Sequence, residues 1–219
     1  MSMRIYIDSA DIKAIAEALA TGYVYGVTTN PTLLRRAGVR ADRVPELVRL
    51  AVDHGARELH LQVYSANAPS IVREGNMLAQ LDPERVVVKV PATAEGYAAA
   101  ARLARQGLRV TMTAVYTVRQ AVLAASVGAR YIAVYLGRMR DAGMDALSVV
   151  AHMQRMFDAQ SAPVQILAAS VRDPEETEAL AELGVATVTL PPDVLKRLVY
   201  SPHTEAAAEA FLQDARAIQ

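Results

Sequence analysis

The 219-residue chain is 53% hydrophobic and carries 23 basic against 23 acidic side chains, a formal net charge of zero. That much apolar sequence suffices for one sizeable core, and the balanced charge offers neither a basic stripe for nucleic acid nor a cationic amphipathic helix for a membrane surface. Cysteine is absent, which excludes disulfides and thiolate metal sites.

The N-terminus runs straight into Met3-Arg4-Ile5-Tyr6-Ile7-Asp8, with no charged segment leading into an apolar one. No apolar run approaches the ~18 residues a membrane span needs, so a cytoplasmic protein is expected. From there the apolar period alternates between strand-like and helix-like. A first strand at residues 5–7 precedes helical sequence at 11–20; a second at 25–28 precedes a helix at 44–53. Strands at 59–63 and 86–90 come next, the latter followed by a helix at 95–106. The pattern repeats as strand 110–114 and helix 118–126, then strand 131–135 and helix 144–157, then strand 164–168 and helix 175–183. An eighth strand at 186–190 leaves a C-terminal helix from Thr204 to about Ala217. Eight βα units over one domain, residues 1–219, predict an α/β fold of the (β/α)8 TIM-barrel class with an additional C-terminal helix. An open doubly wound sheet would carry a Gly-rich turn after its first strand, whereas Asp8-Ser9-Ala10-Asp11 stands there.

In a barrel the C-terminal strand ends gather around one mouth. Those ends carry Asp8, Thr28 with Asn30, Gln62, Lys89, Thr113, Tyr135 with Arg138, and Ser170 with Arg172. Lys89 stands out because the chain has only three lysines, and this one is flanked by valine within Val86-Val87-Val88-Lys89-Val90. Burial penalises an ammonium and pushes the group toward a neutral, nucleophilic amine. A structural ion pair, with Asp8 as partner, is the alternative. Arg138, Ser170 and Arg172 supply guanidinium forks and a hydroxyl that suit a phosphate monoester, although Arg172 also fits a surface salt bridge. Asp8 suits a general base or a partner of Lys89, and Tyr135 a phenolic proton donor. His54, His60, His152 and His203 are scattered without metal-ligand spacing, and surface or partly buried imidazoles are expected.

Three segments carry a family resemblance: Gly26-Val27-Thr28-Thr29-Asn30-Pro31, Val87-Val88-Lys89-Val90-Pro91-Ala92-Thr93-Ala94-Glu95-Gly96 and Thr113-Ala114-Val115-Tyr116. Together with Leu167-Ala168-Ala169-Ser170 and Thr189-Leu190-Pro191, they resemble the transaldolase family across essentially the whole chain. The closer likeness is to its short-chain branch, which includes the fructose-6-phosphate aldolases. The resemblance implies a class I mechanism with no metal or other cofactor, in which Lys89 attacks a ketose C2 carbonyl to give an iminium. It further implies that Asp8 removes the C4 hydroxyl proton, that Thr28 and Asn30 position hydroxyls, and that Arg138, Ser170 and Arg172 hold the phosphate.

Typical transaldolases have Glu ending strand three, Phe ending strand six, and Ser two residues before that Phe. Gln62, Tyr135 and Ala133 stand there, with Ala133 in the substrate-binding set; these resemble the aldolase branch, where Gln62, Thr113 and Tyr135 would hold a proton-shuttling water. Gly137-Arg138 instead resembles transaldolases, and Arg140 beside an anion site points to an anionic group other than phosphate, such as a sulfonate. The implied activities are an aldolase forming or cleaving fructose 6-phosphate-like ketoses and, alternatively, a transaldolase of the pentose phosphate pathway. A non-catalytic sugar-phosphate binding protein is the reading from a different class. The resemblance also implies a homo-oligomer, a pentamer or decamer, with the C-terminal helix on a neighbour; its apolar stripe at Ala206-Ala207-Ala208 and Phe211-Leu212 fits packing on its own barrel equally well.

Overall fold

The computed structural model of the chain describes residues 2–218; residues 1 and 219 of the expected span lie outside the described residues. Eight parallel strands close in chain order into one barrel: β1 Arg4–Asp8, β2 Val24–Thr28, β3 Glu58–Gln62, β4 Val86–Pro91, β5 Val110–Val115, β6 Tyr131–Tyr135, β7 Gln165–Ala169 and β8 Thr187–Leu190. The seam joins β8 to β1, with Arg4 opposite Thr187 and Ile7 opposite Leu190. The helices are α1 Ile12–Ala20, α2 Pro31–Arg36, α3 Val44–Asp53, α4 Ala68–Ala79, α5 Ala94–Arg105, α6 Val118–Ser126, α7 Leu136–Asp141, α8 Ala146–Ala159, α9 Glu175–Glu182, α10 Pro192–Val199 and α11 Pro202–Ala217. The fold is the expected (β/α)8 barrel with its extra C-terminal helix. Among the described residues no helix is long and apolar enough to cross a membrane.

Strand alternation sorts side chains into two cores. Val86, Val88 and Val90 of β4 join the large apolar layer between barrel and helices, each worth about 2 kcal/mol of burial. Val87 and Lys89 point the other way, into the barrel, which also holds a small apolar cluster of Tyr6, Ala133, Tyr135, Leu167 and Ala169. Much of the rest of the closed interior is polar. Below the mouth, at the level of the strand starts, Glu58 is 5% exposed, and it accepts from Tyr6 Oη at 2.7 Å, Tyr131 Oη at 3.0 Å and Arg109 Nη1 at 2.9 Å. His60 lies directly above it, wholly buried, with Nδ1 2.9 Å from Thr111 Oγ1 and Nε2 3.5 Å from Glu58 Oε2. The expectation of a surface or partly buried imidazole therefore fails at His60. Its burial holds the ring neutral, since desolvation lowers its pKa further than Glu58 raises it. Contacts from His60 and the two phenols outweigh burial at Glu58 and hold that carboxyl at about 2.

Caps place the chain entering the site. Thr93 Oγ1 accepts from Gly96 N at 3.1 Å to start α5 immediately after the strand that carries Lys89. Gly96 is needed there: a Cβ would stand 1.9 Å from Pro91 O, so no larger residue lets α5 lie this close to the end of β4. At the other end of the chain, α11 has no buried residue, and Phe211 and Leu212 are 71% and 61% exposed. Packing of that stripe on its own barrel is thereby ruled out.

Candidate active site

The strand ends converge on a cleft of about 740 Å³ lined by Asp8, Asn30, Lys89, Tyr135, Arg138 and Ser170, together with residues of α2 and Pro191. A contiguous lobe shares Asn30, Tyr135 and Arg138 and adds Gln62, Thr113 and Ala114. Eight of the eleven side chains named from the sequence thus line one space; Thr28, Ala133 and Arg172 do not. Thr28 and Ala133 are wholly buried. Arg172 stands at the rim, but outside the cleft lining.

Lys89 is 3% exposed and its Nζ donates to Thr29 O at 2.9 Å. Among the described residues it makes no ion pair, so the structural-pair alternative with Asp8 finds no support. Burial drives the amine below the ordinary lysine range; Asp8 opposes this, and Arg138 adds to it. Asp8 is half-buried, and burial raises its carboxyl against the opposing pull of Lys89, the Thr28 hydroxyl and Arg138. The pair is thereby poised with an amine that sheds its proton easily and a carboxylate that takes one readily.

The hydroxyl chain behind Asp8 has a definite direction. Thr28 Oγ1 donates to Asp8 Oδ1 at 2.7 Å and lies 2.7 Å from Thr189 Oγ1, so Thr189 must be the donor in the second bond. Thr28 therefore fixes Asp8 instead of facing the cleft, where it was expected. Asn30 caps α2, with Oδ1 accepting from Leu33 N at 3.1 Å, and lines the cleft.

Across the mouth, Thr113 Oγ1 and Tyr135 Oη are 2.8 Å apart. Burial raises the Tyr135 phenol, so it keeps its proton at neutral pH. Its ring is held by an edge contact with Tyr116, centroids 5.9 Å apart, and by the Arg138 guanidinium 4.6 Å above it. Two non-glycine residues adopt left-handed backbone at this mouth: Ala114 at φ 59° and Ser170 at φ 57°. Each conformation costs on the order of 1–3 kcal/mol, and such strain collects where a site must hold a fixed shape. The Ala114 distortion coincides with the register shift between β5 and β6, directly after Thr113.

The anion-binding corner departs from expectation. Gly137 N donates to Ser170 O at 3.0 Å, and a Cβ on Gly137 would stand 2.6 Å from Arg172 Nε, so this glycine admits both segments. Arg172, however, gives Nη1 to Asp141 Oδ1 at 2.7 Å and Nη2 to the other carboxylate oxygen. The salt-bridge alternative holds for this residue. Arg140 pairs with Glu176 at 2.9 Å, which removes the reason for expecting an additional cation and a sulfonate-like ligand. Thr32, Leu33 and Arg36 of α2 also line the cleft and were not foreseen. A six-residue helix shows no apolar period, but Thr32 and Arg36 are four residues apart and so share a face, and the Asn30-Pro31 cap signal could have located it.

Residues 5–219 match the family described as Transaldolase/Fructose-6-phosphate aldolase. A probable transaldolase of Heliobacterium modesticaldum is 36% identical over 212 residues, covering 97% of each chain. A probable transaldolase of Thermus thermophilus is 35% identical over 218 residues, again covering 97% of each. Among solved structures, thiamine phosphate pyrophosphorylase from Pyrococcus furiosus superposes with a TM-score of 0.61 over 90% of this chain and 93% of that one; at 13% identity it speaks for the barrel alone. The strand-end constellation and the full-length match agree: this chain belongs to the transaldolase/fructose-6-phosphate aldolase family.

Proposed function

We propose that the protein is a class I aldolase that cleaves or forms a ketose phosphate such as fructose 6-phosphate, with dihydroxyacetone and glyceraldehyde 3-phosphate as partners. Neutral Lys89 attacks the C2 carbonyl, and loss of water gives the iminium. Asp8 takes the proton of the C4 hydroxyl as the C3–C4 bond breaks, and the bonding pair moves to the iminium nitrogen, leaving an enamine and a free aldehyde. A water held by Gln62, Thr113 and Tyr135 delivers a proton to C3, and a second water hydrolyses the resulting iminium to release dihydroxyacetone and restore the amine. Asn30 orients substrate hydroxyls, Thr28 orients Asp8, Ala133 leaves room beside the bound unit, and Arg138 and Ser170 take the phosphate. No step calls for a metal or organic cofactor. A cytoplasmic homo-oligomer, a pentamer or decamer in which the exposed stripe of α11 covers a neighbour, completes the proposal.

The observation that carries the aldolase reading is the Thr113–Tyr135 hydroxyl pair, 2.8 Å apart, facing the same space as Gln62. A phenol there protonates and hydrates the enamine, whereas an apolar ring would preserve it for an acceptor. The relatives named probable transaldolases favour a second reading, transfer of the dihydroxyacetone unit between sugar phosphates. Incubation with fructose 6-phosphate, with and without erythrose 4-phosphate, separates the two. Dihydroxyacetone released without acceptor supports the aldolase; no release, with rapid exchange once erythrose 4-phosphate is added, supports the transferase. Borohydride trapping followed by peptide mapping must place the adduct on Lys89 in either case.

A further inference from the structure

We propose that Arg36, the last residue of α2, is the second guanidinium of the anion subsite and sets its preference for a phosphorylated ligand. This deepens the reading of the cleft as a sugar-phosphate site and rests on it. Arg36 lines the cleft together with Arg138 and Ser170. A dianionic phosphate needs more than one cation to offset its desolvation, and fork-like guanidinium donors are the groups that match its oxygens.

Charge pairing around the rim singles Arg36 out. Arg172 is engaged on both terminal nitrogens by Asp141, Arg140 by Glu176, and Arg197 by Asp173 at 3.0 Å. Among the described residues, Arg36 and Arg138 take part in no ion pair. Burial leaves Lys89 inclined to neutrality, so these two are the standing positive charges of a cleft whose only lining carboxyl is Asp8. Stabilisation of the helix C-terminus is an alternative use for a basic residue at this position. Arg35 shares that last turn but faces a separate groove with Arg40 and Tyr64, so of the two only Arg36 lines the cleft. Arg36 is left to the cleft, held at a fixed distance by the Asn30 cap, by Pro31 in the first turn and by buried Leu34 on the opposite face.

The test measures binding of inorganic phosphate by titration calorimetry to the intact protein and to Arg36→Ala, Arg36→Lys, Arg138→Ala and Arg172→Ala. Arg36→Ala is expected to weaken phosphate by about tenfold, Arg36→Lys to recover part of that, and Arg172→Ala to change it less than threefold. A change within twofold for Arg36→Ala beside a clear loss for Arg138→Ala overturns the proposal, as does a larger loss from Arg172→Ala. Circular dichroism on every variant identifies any loss that comes from unfolding; should Arg36→Ala unfold, Arg36→Gln replaces it under the same criterion. Borohydride trapping of dihydroxyacetone on the unmutated protein distinguishes the two levels of the argument. Trapping at Lys89 without phosphate binding refutes the Arg36 assignment and leaves the aldolase standing. Phosphate binding lost in Arg36→Ala, with no trapping in the unmutated protein, refutes the Schiff-base reading and leaves the anion subsite standing.

Discussion

Glu58→Gln is expected to cost stability at neutral pH and to cost almost nothing in strong acid. The carboxyl sits inside the barrel under three donors, and its pKa falls from 4.5 to about 2 on folding. A folded-state pKa below the unfolded one means that the stabilisation is fully present above pH 4.5 and is lost as pH falls from there toward 2. At about 1.36 kcal/mol per unit, the contribution is at most about 3 kcal/mol. Glutamine keeps the shape but is uncharged, leaving the Arg109 guanidinium, 31% exposed at its side chain, without its partner. Urea midpoints for both proteins would be measured at steps from pH 7 to pH 2. The difference between them should be about 3 kcal/mol down to pH 5 and should close to under about 1 kcal/mol near pH 2. A gap of constant size across the range would refute the reasoning, because it would assign the loss to packing and not to the charge on Glu58.

Lys89→Met should abolish the borohydride-trapped adduct and lower turnover by at least about a thousandfold. The same variant should be more stable by about 1 kcal/mol in urea, because a buried amine with one backbone acceptor gives way to a side chain of similar length that needs none. Tyr135→Phe should slow dihydroxyacetone release by about a hundredfold while leaving exchange with erythrose 4-phosphate much less affected, followed by coupled assays of each product. Arg138 lowers the Lys89 pKa and the reaction needs the neutral amine, so activity must fall as pH drops through that pKa. Arg138→Ala should therefore move the acid limb of the kcat/KM profile to higher pH, whereas movement to lower pH would contradict the assignment of Lys89 as the titrating nucleophile.

Much of the site could be read before any coordinates because strand ends in a barrel share one mouth. Lys89 is conspicuous for being set among valines, and the structure adds its register opposite Gln62 on β3. What escaped has specific causes. The six-residue helices α2 and α7 are under two turns and carry no apolar period, so the Asn30-Pro31 cap is the signal that marks the face Arg36 shares with Thr32. The fate of Arg172 depended on Asp141, 31 residues away, and a guanidinium cannot be assigned to a ligand or a carboxylate until the fold chooses its neighbours. Thr28 was rightly placed at the mouth but wrongly faced, because its hydroxyl is engaged by Asp8 and Thr189.

His60 exposes a more general inversion. Glu58-Leu59-His60-Leu61-Gln62 alternates polar and apolar side chains, the pattern that in an open sheet puts the polar residues in water. A closed barrel clad in helices has no wet face: the apolar side chains of β3 turn outward to the helices, and its polar ones turn into the barrel. The same alternation in Arg4-Ile5-Tyr6-Ile7-Asp8 and Thr187-Val188-Thr189 turns polar groups inward from floor to mouth on that side of the barrel, while β6 and β7 line it with Ala133, Leu167 and Ala169. Depth then divides their labour. Glu58 accepts from Tyr6 and Tyr131 at the floor beneath His60, while Gln62 ends the same strand β3 beside an open cleft that Asp8 and Lys89 reach from β1 and β4. One period-two pattern thus builds both a self-paired foundation and the reactive mouth above it. A polar residue on these strands is read by its distance from the C-terminal end, not by its polarity.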